Sequence, residues 1–405
     1  MLRLRPFAAL RPRPELADKV ACVPYDVVNT AEARALAQGN PYCFLHVSRA
    51  EIDFPDGTDP YSEAIYAAAR QTFDRFAREG VFVHEERPSL YAYRQEAVLG
   101  GKRVSQIGIV GCCHVDDYNS GRIKRHEVTR KDKEDDRTRH MTELRAQTGV
   151  VFLTYHASPA VDAVVRRVTA TRPLYDFTAS DGVAHTMWRV AGGDVDALVK
   201  AFAALPALYI ADGHHRVASA SRAHAALPQS REAGTFVATA FPDRDVRILP
   251  YNRVVKDLAG KTPAQLIAAL GGMVMPGAGA PTPARRGEVG MYLDGRWHTL
   301  ALPPVPAGTP CADALDVERL QRLVLEPHLG IGDPRTDKRV DFVGGIRGTA
   351  ELERLVTSGR AAAAFSLFPV GIDDLMSIAD AGGIMPPKST WFEPKLRDGL
   401  VTHLI

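Results

Sequence analysis

Five consecutive residues, Asp212-Gly213-His214-His215-Arg216, concentrate acid, base and positive charge at the end of the apolar run Ala207–Ile210. The run reads as a strand and the residues from His214 onward as a helix. The turn between them therefore gathers unpaired backbone N–H groups and the positive end of a helix dipole. Such a turn is an anion site, suited above all to phosphate. Gly213 permits close approach of a phosphate, Asp212 can cap the helix or hold a hydrated metal ion, and His214, His215 and Arg216 add donors and charge. Adjacent side chains at a helix start diverge by about 100°, so His214 and His215 are not expected to share one zinc ion.

Two further stretches carry chemistry. IKRHEVTRKDKEDDR (123–137) places Glu127, Lys131, Glu134, Asp135 and Arg137 near one another over successive turns, although i,i+4 ion pairs on a solvated helix account for most of that pattern. In MPPKSTWFEPKL (385–396), two prolines fix the backbone before Lys388, Ser389 and Thr390, and Trp391 and Phe392 supply apolar anchors. Lys388 and Lys395 can there meet a phosphate or a substrate carboxylate. The frame GxxxxG is absent before Lys388, so this is not a phosphate-binding loop of the Walker type. Arg253 in LPYNRVV can pair an anion, and Pro24-Tyr25-Asp26 ends an extended run in a way that sets Tyr25 and Asp26 at a pocket rim.

The elements that must position these groups follow from composition and periodicity. The chain has 405 residues, 45% hydrophobic and 24% charged, with 50 basic against 48 acidic side chains. That is the make-up of a soluble globular protein of two or three domains, and it argues against a partner role on nucleic acid. The N-terminus lacks the apolar stretch of a secretory signal, and no run approaches the ~18 apolar residues of a membrane span. The five cysteines form no CxxC pair, so a reduced, cytoplasmic setting is expected, with no membrane partner. Adjacent Cys112 and Cys113 are expected on opposite faces of a strand.

VACVPYDVV reads as a strand, TAEARALAQG as a helix begun by Asn29 or Thr30 and ended at Gly39, and residues 60–79 as an amphipathic helix. SLYAYRQEAV and RVSQIGIVGCCHV form a hairpin about a glycine turn, the polar stretch from Arg122 a helix with a thin buried seam, and VVFLTYHA a buried strand. FVATAFP and VRILPYNRVV read as an apolar pair around Asp243–Asp245, MYLDGRWHTLAL as a hairpin on its DG turn, and the Gly/Pro-rich stretch 271–287 as a linker. Strands and helices alternate throughout, so the fold class is α/β with a mixed sheet (mixed α+β). The expected segments are 1–120, 121–260 with an insertion near 155–205, and 261–405.

The segment ALYIADGHHRVAS resembles the nucleotide-binding motif of the ParB/sulfiredoxin superfamily. Sulfiredoxins carry a catalytic cysteine where this chain has His214, and the chromosome-partitioning ParB branch adds a helix-turn-helix that has no counterpart downstream of Arg216. The free L-serine kinase branch, with DGHHR or DGHTR at this turn, is the most similar. The whole chain also resembles a large, mostly uncharacterised bacterial and archaeal family of ParB-like proteins bearing PYDV, HE…K.DDR, DGHHR and MP.KST.F.PK. The resemblance implies a ParB/sulfiredoxin-like nucleotide-binding core elaborated by N- and C-terminal α/β segments. It implies a kinase that moves a phosphoryl group from ATP or ADP, with Mg²⁺, to a small-molecule hydroxyl, free L-serine being the family's acceptor. Glu127 would be the base, with Asp212 and His214 as further catalytic groups. Asp212, Gly213, His214, His215, Arg216 and Lys131 would hold nucleotide phosphates, and Lys388, Ser389, Thr390, Lys395 and Arg253 the substrate. The alternative within the superfamily is a CTP- or ATP-controlled switch acting on DNA or a protein partner.

Overall fold

In a computed structural model that describes residues 1–277 and 279–405, the chain divides into two compact units. The first comprises Met1–Val246 and the returning tail Pro394–Ile405; the second is Arg247–Glu393. The chain leaves the first unit after the turn Asp243–Asp245, so FVATAFP and VRILPYNRVV belong to different sheets instead of pairing with each other. The Gly/Pro-rich stretch 271–287 lies inside the second unit; Ala278 within it is outside the described residues.

The first unit is built on a nine-stranded mixed sheet whose strands, in chain order, are β1 (Leu4–Arg5), β2 (Tyr91–Leu99), β3 (Lys102–His114), β4 (Ile123–Lys124), β5 (Val151–Tyr155), β6 (Tyr175–Thr178), β7 (Ala184–Arg189), β8 (Leu208–Asp212) and β9 (Thr235–Pro242). Their order across the sheet is β4-β8-β5-β9-β3-β2-β7-β6, with β1 on β3. Parallel pairs, β4 with β8 and β5 with β9, sit in an otherwise antiparallel sheet. The hairpin β2–β3 turns on Gly100 and Gly101, both in the left-handed region that this turn requires. Cys112 and Cys113 are neighbours on β3 and both are buried, as expected of a strand covered on both faces.

Four helices matter for the site: α1 (Thr30–Ala37), α2 (Glu63–Arg78), α3 (Lys131–Leu144) and α4 (His214–Ala226). Asn29 and Glu32 close a capping box at the start of α1. On α2 the helical spacing buries Ile65, Tyr66, Ala69, Phe73 and Phe76, each large apolar side chain contributing roughly 1.5–3 kcal/mol. Ile65, Ala69, Phe73 and Phe76 pack with Phe44 and Phe82 in a core separate from that of the large sheet. Val217, Ala220 and Ala223 of α4 face the sheet core with Leu153, Ile210 and Phe236.

Two expectations are corrected here. VACVPYDVV is not a strand: only Cys22 bridges, to Asp398, and the chain then turns, Pro24 having no N–H to extend a ladder. The polar helix begins at Lys131, so Glu127 lies in the loop between β4 and α3.

The second unit holds a five-stranded antiparallel sheet. Its strands are β10 (Arg247–Leu249), β11 (Tyr251–Val255), β12 (Glu288–Leu293), β13 (Arg296–Ala301), β14 (Val340–Gly344), β15 (Ala363–Leu367) and β16 (Trp391–Glu393). The five-stranded order is β13-β12-β15-β11-β14, and β10 pairs with β16 apart from it. Asp294 and Gly295 both take positive φ at the β12–β13 turn, the conformation a two-residue hairpin needs.

Candidate functional site

The site begins with an irregularity. Along β8, Ile210 opposes Leu153 and Asp212 opposes Phe152, which leaves Ala211 as an extra residue. A bulge of this kind bends the strand and re-aims the residues beyond it. Asp212 then turns its Oδ1 to accept the Gly213 N–H at 3.0 Å. Gly213 has φ +96°, in the left-handed region, so the position calls for glycine on conformation, and a methyl group there would also sit 3.3 Å from Arg216 Cδ. No side chain caps α4 at Gly213, and the intrahelical ladder starts only with Val217 N–H to Gly213 O. The first turn of α4 thus presents its backbone donors at the end of β8.

The two histidines at that turn reach different points of one loop. His214 is buried, its Nε2 accepting the His126 N–H at 3.4 Å, and its Nδ1 stands 3.7 Å from Glu127 Oε2. Burial pushes His214 down to about 3, so the ring is neutral near pH 7 and carries its proton on Nδ1, facing the carboxylate. The contact is a neutral dipole against a carboxylate, not an ion pair. His126 sets its ring edge-on to His214 at 4.4 Å and is likewise pushed down to about 3 by burial. His215 Nε2 accepts the Arg130 N–H at 3.0 Å. Together the pair ties residues 126–130, and with them Glu127, to the start of α4. Glu127 itself keeps its side chain 31% exposed, open to a ligand.

Arg216 turns inward. At 2% exposure it donates Nη1 to Val150 O at 2.7 Å and Nη2 to Asp26 Oδ1 at 2.8 Å. Burial lowers its pKa, but Asp26, Asp212 and Asp398 outweigh that, and the guanidinium stays charged. The ring of Tyr25 lies beneath two guanidinium groups, Arg137 at 4.2 Å and Arg216 at 5.6 Å. Arg137 pairs with Asp136 at 2.8 Å, and Asp136 accepts the Tyr66 hydroxyl at 2.8 Å. Tyr25 and Asp26 are therefore tied to the phosphate-turn candidate itself.

The C-terminal tail supplies the fourth contact. Lys395 Nζ lies 3.1 Å from Asp212 Oδ2, with the lysine side chain 11% exposed. Its position is set from below: buried Gln95 donates to Lys395 O at 2.7 Å, and Gln106 donates to Pro394 O at 3.2 Å and to Gln95 Oε1 at 3.0 Å. Lys131, by contrast, is 85% exposed and pairs with Asp135 at 2.8 Å, on the solvated face whose ion pairs continue to Arg222 on α4.

Arg253, Lys388, Ser389 and Thr390 belong to the second unit. Arg253 donates Nη1 to the carbonyls of Tyr251 and Lys388 and Nη2 to that of Pro387. Ser389 donates its hydroxyl to Pro386 O at 2.6 Å, Lys388 takes φ +54° with Nζ 5.6 Å from the Tyr251 ring centre, and Thr390 is half-buried. Arg253 thus shapes the Pro386–Thr390 loop through its backbone. Among the described residues, no three His, Cys, Asp or Glu side chains are grouped as a metal centre, and no helix is long and apolar enough to cross a membrane.

Asp26, Tyr25 and Arg137 had a sequence signal, the PYD turn and the last residue of K.DDR. His126 had only its place beside Glu127, and buried Asp398 had none.

Searches against solved structures find low-identity likenesses. A conserved hypothetical protein from Pyrococcus furiosus matches at 13% identity over 73% of this chain and 95% of its own, with a TM-score of 0.36. A free serine kinase in complex with AMP matches at 13% identity over 70% of this chain and 86% of its own, with a TM-score of 0.37. SbnI with a C-terminal truncation, from Staphylococcus aureus, matches at 10% identity over 72% of this chain and 86% of its own, with a TM-score of 0.40. No curated protein matches the chain. A family profile, in contrast, aligns with residues 4–318, which takes in the PYDV, Glu127 and DGHHR segments: the chain belongs to the family described as protein of unknown function DUF1015.

Proposed function

We propose that the chain is a small-molecule kinase that transfers a phosphoryl group from ATP or ADP to a hydroxyl, with free L-serine as the acceptor favoured by the motif resemblance. The observation that carries this reading is the convergence on one strand-to-helix turn of Glu127, Asp26 and Lys395, from three distant stretches of sequence. A turn that needed only to start a helix has no use for such a set. The proposed core is of the ParB/sulfiredoxin type, with Asp212–His215 and the first turn of α4 receiving the nucleotide phosphates.

In the proposed step the acceptor oxygen forms a bond to the terminal phosphorus as the bond to the leaving nucleotide breaks. ATP leaves as ADP, or ADP as AMP, and the hydroxyl proton passes to Glu127. His214 acts as a positioning residue, its Nδ1–H facing Glu127. Lys395 offsets phosphate charge beside Asp212, while Arg216, its two Nη groups donating to Val150 O and Asp26, positions the turn from beneath without meeting phosphate. Mg²⁺ takes carboxylate oxygens and completes its shell with water and phosphate oxygens, and Asp212 is the hard donor at the turn that would hold it. When bound, it would neutralise charge on the transferring group.

The test is incubation of the protein with Mg²⁺, L-serine and, in turn, ATP, ADP and CTP, followed by phosphorus NMR. O-phosphoserine is expected with ATP or ADP and is lost in Glu127→Gln. Tight nucleotide binding without any phosphorylated acceptor would overturn the kinase reading in favour of a nucleotide-controlled switch.

A further inference from the structure

Five arginines are buried among the described residues, and four of them face a carboxylate: Arg11 with Glu85, Arg216 with Asp26, Arg319 with Asp316 and Arg397 with Asp181. Arg253 is the exception. It sits in mid-strand on β11 between Phe342 and Phe365 of the neighbouring strands, 3% exposed, its guanidinium 5.0 Å from the centre of the Phe342 ring and hydrogen-bonded to the carbonyls of Tyr251, Pro387 and Lys388. No carboxylate pairs with it among the described residues, and its Nε–H makes no hydrogen bond there. A buried guanidinium without a counter-charge is costly, and burial pulls Arg253 down to about 9.

Arg253 lines a cavity of about 410 Å³ made wholly from the second unit, within the size range of small-molecule sites. Its helical wall carries Glu318, Gln321 and Arg322, where the segment Asp316–Leu320 widens into a π turn over Gln321–Leu325 ahead of Pro327. Such turns concentrate at functional sites. Gln321 Nε2 donates to Gly332 O at 3.0 Å and so fixes the loop bearing Arg335 on the other side. Glu318 is half-buried, has no ion pair among the described residues, and is raised in pKa first by burial, then by Asp313 and Glu326 against the opposing effect of Arg322. An anion alone would meet Glu318 there, and a cation alone would leave Arg253 uncompensated.

We infer that this cavity binds a small zwitterion of the α-amino acid class, its carboxylate on the Arg253 Nε side and its ammonium group toward Glu318. The inference is independent of phosphoryl transfer, because every residue in it belongs to the second unit.

The test is calorimetric titration of the full chain, without nucleotide, with glycine and L-alanine, which have no hydroxyl to accept phosphate, and with acetate, methylammonium and inorganic phosphate. Both amino acids are expected to bind at least ~10-fold more tightly than acetate or methylammonium, and Glu318→Gln is expected to weaken them at least ~10-fold. Removing Arg253 strands three carbonyls and risks the fold, so Arg335→Gln, on the opposite wall, is the second variant, expected to weaken binding several-fold. Failure of the amino acids to bind at millimolar concentration, acetate or phosphate binding as well as they do, or unchanged affinity in Glu318→Gln would each overturn it. Loss of kinase activity elsewhere would leave these results untouched.

Discussion

Arg216 and Arg253 are buried to the same degree, 2% and 3% exposed, and are stabilised in opposite ways. Arg216 has Asp26 at 2.8 Å, with Asp212 and Asp398 adding to the field that keeps it charged. Arg253 has peptide carbonyls and the face of the Phe342 ring, whose partial charges do not balance a full one. A cation whose counter-ion comes from its own chain is spent on holding the structure, here a turn that brings three other stretches together. A cation without one is left to a ligand. Burial, not pairing, separates Lys395, beside Asp212 and 11% exposed, from Lys131, whose pairing with Asp135 happens in solvent.

The largest effect should come from the group the turn is built to position. Glu127→Gln is expected to cut phosphoryl transfer by roughly 10²–10⁴ while nucleotide affinity stays within about threefold, read by coupled turnover and calorimetry. Next is the pairing that distinguishes Arg216 from Arg253. Asp26→Asn leaves a buried guanidinium short of its nearest counter-charge and is expected to lower the unfolding free energy by roughly 1.5–3 kcal/mol in urea melts. A loss under ~1 kcal/mol would mean the two arginines do not differ as described.

Asp398 sharpens the contrast through pH. Burial raises its carboxyl to about 6, with Arg216 opposing and Asp26 adding to the rise. That is above the unfolded carboxylate near 4, so the folded state holds this proton more tightly. Its stabilising contribution is complete below about pH 4 and is lost as pH rises through about 6. Asp398→Asn should therefore gain stability relative to the parent between pH 4 and 6, by up to about 3 kcal/mol, and stay level above that. A pH-independent difference would contradict it. Smallest of all, Lys131→Ala should shift the unfolding temperature by no more than about 2 °C, since its partner is a solvated carboxylate.

Much of this was legible along the chain because it rests on local rules. An apolar run into Asp-Gly, the capping residues of α1, the apolar stripe of α2 and the Asp-Gly hairpin of β12–β13 each follow from propensity and periodicity. Glu127 was placed at the DGHHR turn by resemblance, and the two histidines were expected to diverge on geometry; each indeed makes its own contact with the loop 126–130. What could not be read was direction and long-range pairing. Nothing local tells Arg216 to turn inward, because its partner lies 190 positions away in a segment that itself read as strand. MPPKSTWFEPKL reads as one motif, yet the break between the two units falls after Glu393, which gives Lys388 to one and Lys395 to the other. Lys131 and Lys395 look alike as lysines near acidic groups; only tertiary structure, through the buried glutamines under the tail, separates them.

The central claim is that the Asp212–His215 turn is a phosphate site served by Glu127. The most direct measurement is Mg²⁺-dependent nucleotide binding, compared calorimetrically among the parent, Glu127→Gln and Asp212→Ala. Near-equal affinity in the first two and a loss of at least ~10-fold in the third is the expected result. Equal affinity in all three, or no nucleotide binding by the parent, would contradict the account.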